Sequence, residues 1–204
     1  MDAKKRFVLR TSIREGEKVS LCDFLSRSSE LSKGRVKDAM NKGAAWLQRK
    51  DGRQKRVRKA TMMLNAGDRV EFYYDKRLLL MEPPRAVCVS DQSLYSVWYK
   101  PAGLMAQGTM YGDHCSIMRQ AGLFFGPQHE VFLVHRLDRE ASGIMILAHS
   151  KEAASRLSVL FQKNLVEKKY RVEVLGKPPK TGRSRTIDFP LDGKPSITEY
   201  EVVS

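Results

Sequence analysis

Cysteine is scarce in this 204-residue chain. Cys22, Cys88 and Cys115 are too few and too scattered for a disulfide framework. No C-x-x-C pair is present, which argues against a zinc ribbon. Long apolar runs are missing too. The longest, such as 78–81 and 144–148, fall far short of the roughly 20 residues a membrane helix needs. The first ten residues, MDAKKRFVLR, are charged and lack the apolar stretch of a leader peptide. These shortages predict a protein of the reducing cytoplasm, with no membrane partner and no bound metal. His114 and Cys115 are adjacent, but two neighbouring side chains do not make a metal site.

Acidic residues are also in short supply. The chain carries 37 Lys and Arg against 23 Asp and Glu, a formal charge of +14. The excess is uneven: residues 1–80 hold 21 basic against 10 acidic side chains, and the remainder 16 against 13. A basic N-terminal part is the footprint of a polyanion-binding module. The densest run, RKDGRQKRVRK at 49–59, contains Gly52 and shows no apolar stripe. A helix lying on a membrane surface would need one, so nucleic acid is the expected partner.

Apolar content, at 42%, suffices for a core. Leu21, Phe24 and Leu25 fall at helical spacing after Ser20, an expected N-cap. Ser32 caps a second expected helix whose apolar side is Val36, Ala39 and Met40, with Gly43 as its stop. Lys33, Arg35, Lys37 and Lys42 crowd the rest of that helix. In AGDRVEFYYD, Val70, Phe72 and Tyr74 alternate as on one face of a strand. This order of helix, helix, basic loop and closing strand resembles the S4 RNA-binding domain over residues 18–75, although the stretch 48–64 is longer than the family's brief turn. Residues 1–17 read as an N-terminal extension. Residues 76–90, with Pro83-Pro84, read as a linker.

The second part reads as an α+β domain with a largely antiparallel sheet. Strands are expected at LYSVWYK, at 131–134 and at 143–148. A helix is expected over SKEAASRLSVLFQKN, with Ser150 as cap and Ala154, Leu157, Leu160 and Phe161 as its apolar face. KKYRVEVLG reads as a strand with Tyr170, Val172 and Val174 on one face.

Between two of these strands stands VHRLDREASG, which places Asp138 between Arg136 and Arg139. If 135–138 is extended, Arg136 and Asp138 face one way, His135 and Leu137 the other. Two flanking guanidinium groups favour the ionised carboxylate, which suits a nucleophile or an electrostatic stabiliser better than a general acid. A solvated hairpin tip with an incidental ion pair explains the same residues.

Four segments in order change the balance. HRLDREASG resembles the H-R-L-D-R-E-T-S-G signature of RluA-type pseudouridine synthases, with Ala141 in place of Thr. DQSLYSVWYKPAGL resembles that family's D-E-x-L-x-V-x-N-K-P-x-G-L stretch, with Gln92 and Tyr99 departing from it. KKYRVEVLG is similar to its K-x-Y segment, and IDFPLDGKPSITEYEV to its I-x-x-P-L…T-x-Y-x-V segment.

The resemblance implies an isomerase that converts uridine to pseudouridine in RNA without cofactor or metal. It implies Asp138 as nucleophile, Tyr170 stacked on the target base, and Arg136 helping to expel that base from its stack. Arg139 and the basic set Lys33, Arg35, Lys37, Lys42, Arg49, Lys50, Arg53, Lys55, Arg56, Arg58 and Lys59 are the expected RNA contacts. Ribosomal RNA is favoured over transfer RNA, because an S4 module typifies that branch. Residues 91–204 would form the catalytic domain. The family's closing T-G-R-x-H-Q-I-R motif is not matched: TGRSR at 181–185 lies too early and continues differently. The expectation is therefore a C-terminally incomplete site. An S4-type RNA-binding protein with an inactive catalytic half is the alternative. A hydrolase built on Asp138 is weaker, since no second carboxylate stands at a recognisable spacing.

Overall fold

The computed structural model describes residues 6–176 and 184–203. The chain divides into two compact units, 1–166 and 167–204.

In the first unit, strand β1 (Arg6–Ser12) leads into helices α1 (Leu21–Ser29) and α2 (Lys33–Asn41). Both expected caps are in place: Ser20 accepts from the backbone N–H of Asp23, and Ser32 from that of Arg35. Leu21, Phe24 and Leu25 of α1 and Val36, Ala39 and Met40 of α2 are buried against each other and the adjoining sheet. Gly43, at φ +91°, ends the second helix in a conformation that favours glycine. Strands β2 (Ala45–Gln48), β3 (Lys55–Arg56) and β4 (Arg69–Asp75) follow. They form an antiparallel sheet in the order β1-β4-β2-β3.

Two expectations change here. The extension expected at 1–17 is, over Arg6–Ser12, an edge strand paired with β4 along its whole length, from Arg6↔Asp75 to Ser12↔Arg69. Its alternation supplies the reason: Phe7 and Leu9 turn toward the core while Arg6, Val8 and Arg10 face solvent. The basic loop at 49–59 includes a short hairpin arm, with Trp46 opposite Arg56 and Leu47 opposite Lys55.

Beyond β4, Asp75 caps a one-turn helix, α3 (Lys76–Leu79), where a linker was expected. The prolines that follow are pinned rather than loose. The Gln120 side-chain amide donates to Pro84 O (2.9 Å) and accepts from Ala86 N (2.8 Å). Strands β5 (Val87–Gln92) and β6 (Tyr95–Lys100), helix α4 (Ile117–Phe125), strands β7 (Phe132–Leu133) and β8 (Gly143–Ala148), and helix α5 (Lys151–Gln162) complete the unit. The second sheet is antiparallel, ordered β5-β6-β8-β7. Its core gathers Trp98, Leu104, Ile117, Met145 and Leu147. Ser150 caps α5 as expected, yet Leu160 of its expected apolar face is 39% exposed.

The second unit contains a two-stranded antiparallel hairpin, β9 (Ser184–Asp188) and β10 (Ile197–Glu201). The strand expected over KKYRVEVLG is not formed, and Tyr170, Val172 and Val174 are exposed. Alternation marks a segment that can line a sheet face, but a strand also needs a ladder partner, and none pairs with it among the described residues. Of the TGRSR stretch, 181–183 lie outside the described residues. Antiparallel sheets with a few helices make this an α+β protein. No described helix is long and apolar enough to cross a membrane.

Candidate functional site

Two turns meet at one end of the second sheet. β6 and β8 are paired so that Lys100 lies opposite Gly143. The KPAGL turn that leaves β6 therefore sits beside the HRLDREAS loop that enters β8. Backbone bonds join them: Gly103 N–H donates to Arg139 O at 2.7 Å.

The main tie is Lys100, whose side chain is fully buried. Its ammonium donates to Leu104 O (2.7 Å), Pro101 O (3.2 Å) and Arg139 O (3.3 Å). Three carbonyls use the three donors of an ammonium group, which is how a desolvated cation becomes tolerable without an ion pair. Burial pushes the Lys100 pKa down, while the charges of Glu140 and Asp138 work the other way. The sequence marks this lysine only as part of a turn. An internal cation beneath the carboxylate loop was missed, because lysine is seldom fully buried.

The other end of the loop is anchored by His135. Its Nε2 accepts from Ile146 N–H at 3.0 Å, and its ring stacks on Phe161 at 4.4 Å between centroids. Leu137 packs against the second core. Arg136 and Asp138 are exposed, so the loop alternates as expected. Core-facing His135 and Leu137 hold the backbone, and Asp138 is presented outward from a segment fixed on both sides. Arg139 does not pair with Asp138. Its guanidinium donates to Gly103 O (3.4 Å) and reaches Met81 Sδ (3.9 Å). The ion-pair cluster that the sequence suggests is instead an open carboxylate beside an exposed Arg136. Tyr170 belongs to the second unit, where the residue is 67% exposed.

The expected RNA contacts fall into two groups. Lys33, Arg35, Lys37, Lys50, Arg53, Lys55 and Lys59 are exposed, Lys33 with an ion pair to Asp23 at 2.5 Å. The rest are engaged within the protein. Lys42 binds Asp38 and Leu79 O, and Arg49 is paired with the buried Asp68. Arg56 donates to Gly43 O (2.6 Å) and Thr109 O (2.8 Å) and lies over the Trp46 ring. Arg58 meets Asp113 at 2.5 Å.

Residues 94–204 match the family model described as RNA pseudouridylate synthase. An uncharacterized RNA pseudouridine synthase of Aquifex aeolicus is 26% identical, over 93% of this chain and 65% of that protein. Ribosomal large subunit pseudouridine synthase C of Rickettsia bellii is 36% identical, over 49% of this chain and 34% of that protein. Dual-specificity RNA pseudouridine synthase RluA of Escherichia coli O157:H7 is 32% identical, over 60% of each. The chain thus spans less than two thirds of the length of each of these relatives.

Proposed function

Because this chain belongs to the RNA pseudouridylate synthase family, we propose that it isomerises uridine to pseudouridine within RNA, using Asp138 as the nucleophile. The reaction breaks the bond between ribose C1′ and uracil N1, turns the base, and joins C1′ to C5. The C5 proton is lost and N1 gains one, so no atom is added or removed and no redox partner or metal is required.

The observation that carries this reading is the anchoring of the 135–142 loop. Lys100 holds its Arg139 carbonyl and His135 caps the β8 backbone, which leaves the Asp138 carboxylate exposed and positioned for attack. Arg136, exposed two residues earlier, is assigned to expelling the base, and the exposed Tyr170 ring to stacking on it. Arg139 reads as a positioning residue.

Residues 91–204 are assigned to catalysis and 18–75 to an S4-type RNA-binding module, joined through 76–90. The capped pair α1–α2, with Lys33, Arg35 and Lys37 exposed on α2, supports that module. Ribosomal RNA is the favoured substrate, in line with the Rickettsia relative's name.

Incubation with unmodified ribosomal and transfer RNA transcripts, followed by pseudouridine mapping, tests the proposal. Modification of the ribosomal transcript by this chain would carry the proposal and overturn the expected incompleteness of the site. Asp138→Asn is expected to retain binding and lose about three orders of magnitude or more in rate, the scale on which a covalent nucleophile contributes. A parent that binds RNA without modifying it would support the binding-protein alternative instead.

A further inference from the structure

A second charged site lies away from the Asp138 loop, where the 109–113 turn docks on the first sheet. Gly112 and Thr109 close that turn on each other, and Asp113 N–H donates to Lys42 O at 2.9 Å. Asp113 there faces Arg58 at 2.5 Å and Arg56 at 3.6 Å. Gly43 is closely approached here: a Cβ on it would press on the ends of the Arg56, Asp113 and Arg58 side chains, which would have to shift. Next to this cluster opens a cleft of about 410 Å³, lined in part by Arg56, Arg58, Asp113 and Ser116 and by a third arginine, Arg119, on the first turn of α4.

The charges do not balance. Three guanidinium groups face one carboxylate, and Arg58 and Arg56 already claim it. Arg119 is half-buried, yet its side chain has no hydrogen-bond or ion-pair partner among the described residues. Burial, together with the nearby Arg58 charge, pushes its pKa down, against the weaker pull of Asp113. A partly desolvated cation without a counter-ion costs stability, and a protein that keeps one has a use for it. α4 also carries no acidic residue in its first turn, so its positive end is not internally neutralised.

We propose that the Arg119 cleft, between β3 and the start of α4, binds a backbone phosphate of the RNA substrate. A guanidinium fork matches a phosphodiester, and the two engaged arginines add field without needing to release Asp113. The exposed cations of the first sheet and α2 make a strand, rather than a free anion, the source of that phosphate. The inference rests on the reading of this chain as an RNA-modifying enzyme.

Binding of a fluorescent single-stranded RNA to the full chain, titrated with salt, tests it. Arg119→Gln is expected to weaken binding about 3- to 10-fold at low salt and to flatten the log K against log salt slope by about one contact. Arg119→Lys should recover part of the loss. Arg85→Gln removes the same charge from an exposed position outside the cleft and should change affinity less than about twofold. Equal behaviour of R119Q and R85Q would overturn the site while leaving RNA binding intact. A parent that binds no RNA would overturn both this site and the function it rests on.

Thermal melting supplies the internal control. R119Q should melt no lower than the parent, since Arg119 holds nothing in the free protein. A clear fall in Tm would make it a structural arginine and overturn the proposal. Inorganic phosphate stabilising the parent as much as RNA does would assign the cleft to a free anion and also overturn it.

Discussion

Lys100 shows how much one side chain contributes to the order of this site. Its ammonium spans the KPAGL turn and the Arg139 carbonyl, two segments far apart in sequence. Replacement by methionine keeps the volume and removes the charge, but leaves three carbonyls short of a donor. Hydrogen bonds to charged groups are worth about 1.5–3 kcal/mol each, and the relieved desolvation of the cation offsets part of their loss. Lys100→Met is therefore expected to cost about 2 kcal/mol in urea denaturation. It should also speed amide exchange in 135–142 more than elsewhere. Unchanged exchange in that loop would show that His135 and Gly103 suffice to order it. Asp138 behaves oppositely: an exposed side chain can be changed to asparagine with a stability effect within about 0.5 kcal/mol, so lost activity in that variant reports chemistry rather than folding.

Among elements, the junction of α4, β7 and β8 carries a stack of rings, Phe125 on His129 and both against His149. Burial foremost, then the neighbouring His129, pushes the His149 pKa down, while Asp91 at 3.8 Å opposes weakly. The unfolded chain therefore takes up a proton before the folded one does as pH falls. Stability contributed by neutral His149 is present above the ordinary histidine pKa of about 6.5 and is lost below it, at up to about 1.4 kcal/mol per pH unit. His114, also pushed down by burial, adds in the same direction. Tm should fall between pH 7 and pH 5, and His149→Phe should flatten that fall. An equal slope in the variant would place the sensitivity elsewhere.

Elements of this kind divide into those the sequence reveals and those it hides. The caps at Ser20, Ser32 and Ser150 and the strand at 143–148 were legible, because periodicity and a capping hydroxyl are local signals. β1 was hidden although RFVLRTS alternates, since its meaning depends on β4, which is nearly sixty residues away. α4 was hidden behind an approach broken by Gly108 and Gly112. In the 135–138 loop, the outward facing of Arg136 and Asp138 was legible from alternation. The buried Lys100 tie and the Arg119 cleft were not, as each depends on chain segments meeting in space.

For the molecule as a whole, the charge of +14 predicts steep salt dependence. Arg35, Lys37, Lys50, Arg53, Lys55 and Lys59 are exposed and available to phosphates, while Lys33 would first have to leave Asp23. Each phosphate contact on a single strand adds about −0.7 to the slope of log K against log salt, so a slope of about −3 or steeper is expected in an anisotropy titration. A slope near zero would indicate that these cations only keep the protein soluble. The seam at 109–113 also bears on dissection of the chain. Pro83-Pro84 looks like a place to cut, and a fragment ending there would seem a free-standing RNA-binding module. Severed there, however, Trp46 would lose its acceptor Met110 O, Arg56 would lose Thr109 O, and Arg58 would lose Asp113. A cut at Pro83-Pro84 would therefore strip the first sheet of three polar ties to the 109–113 turn.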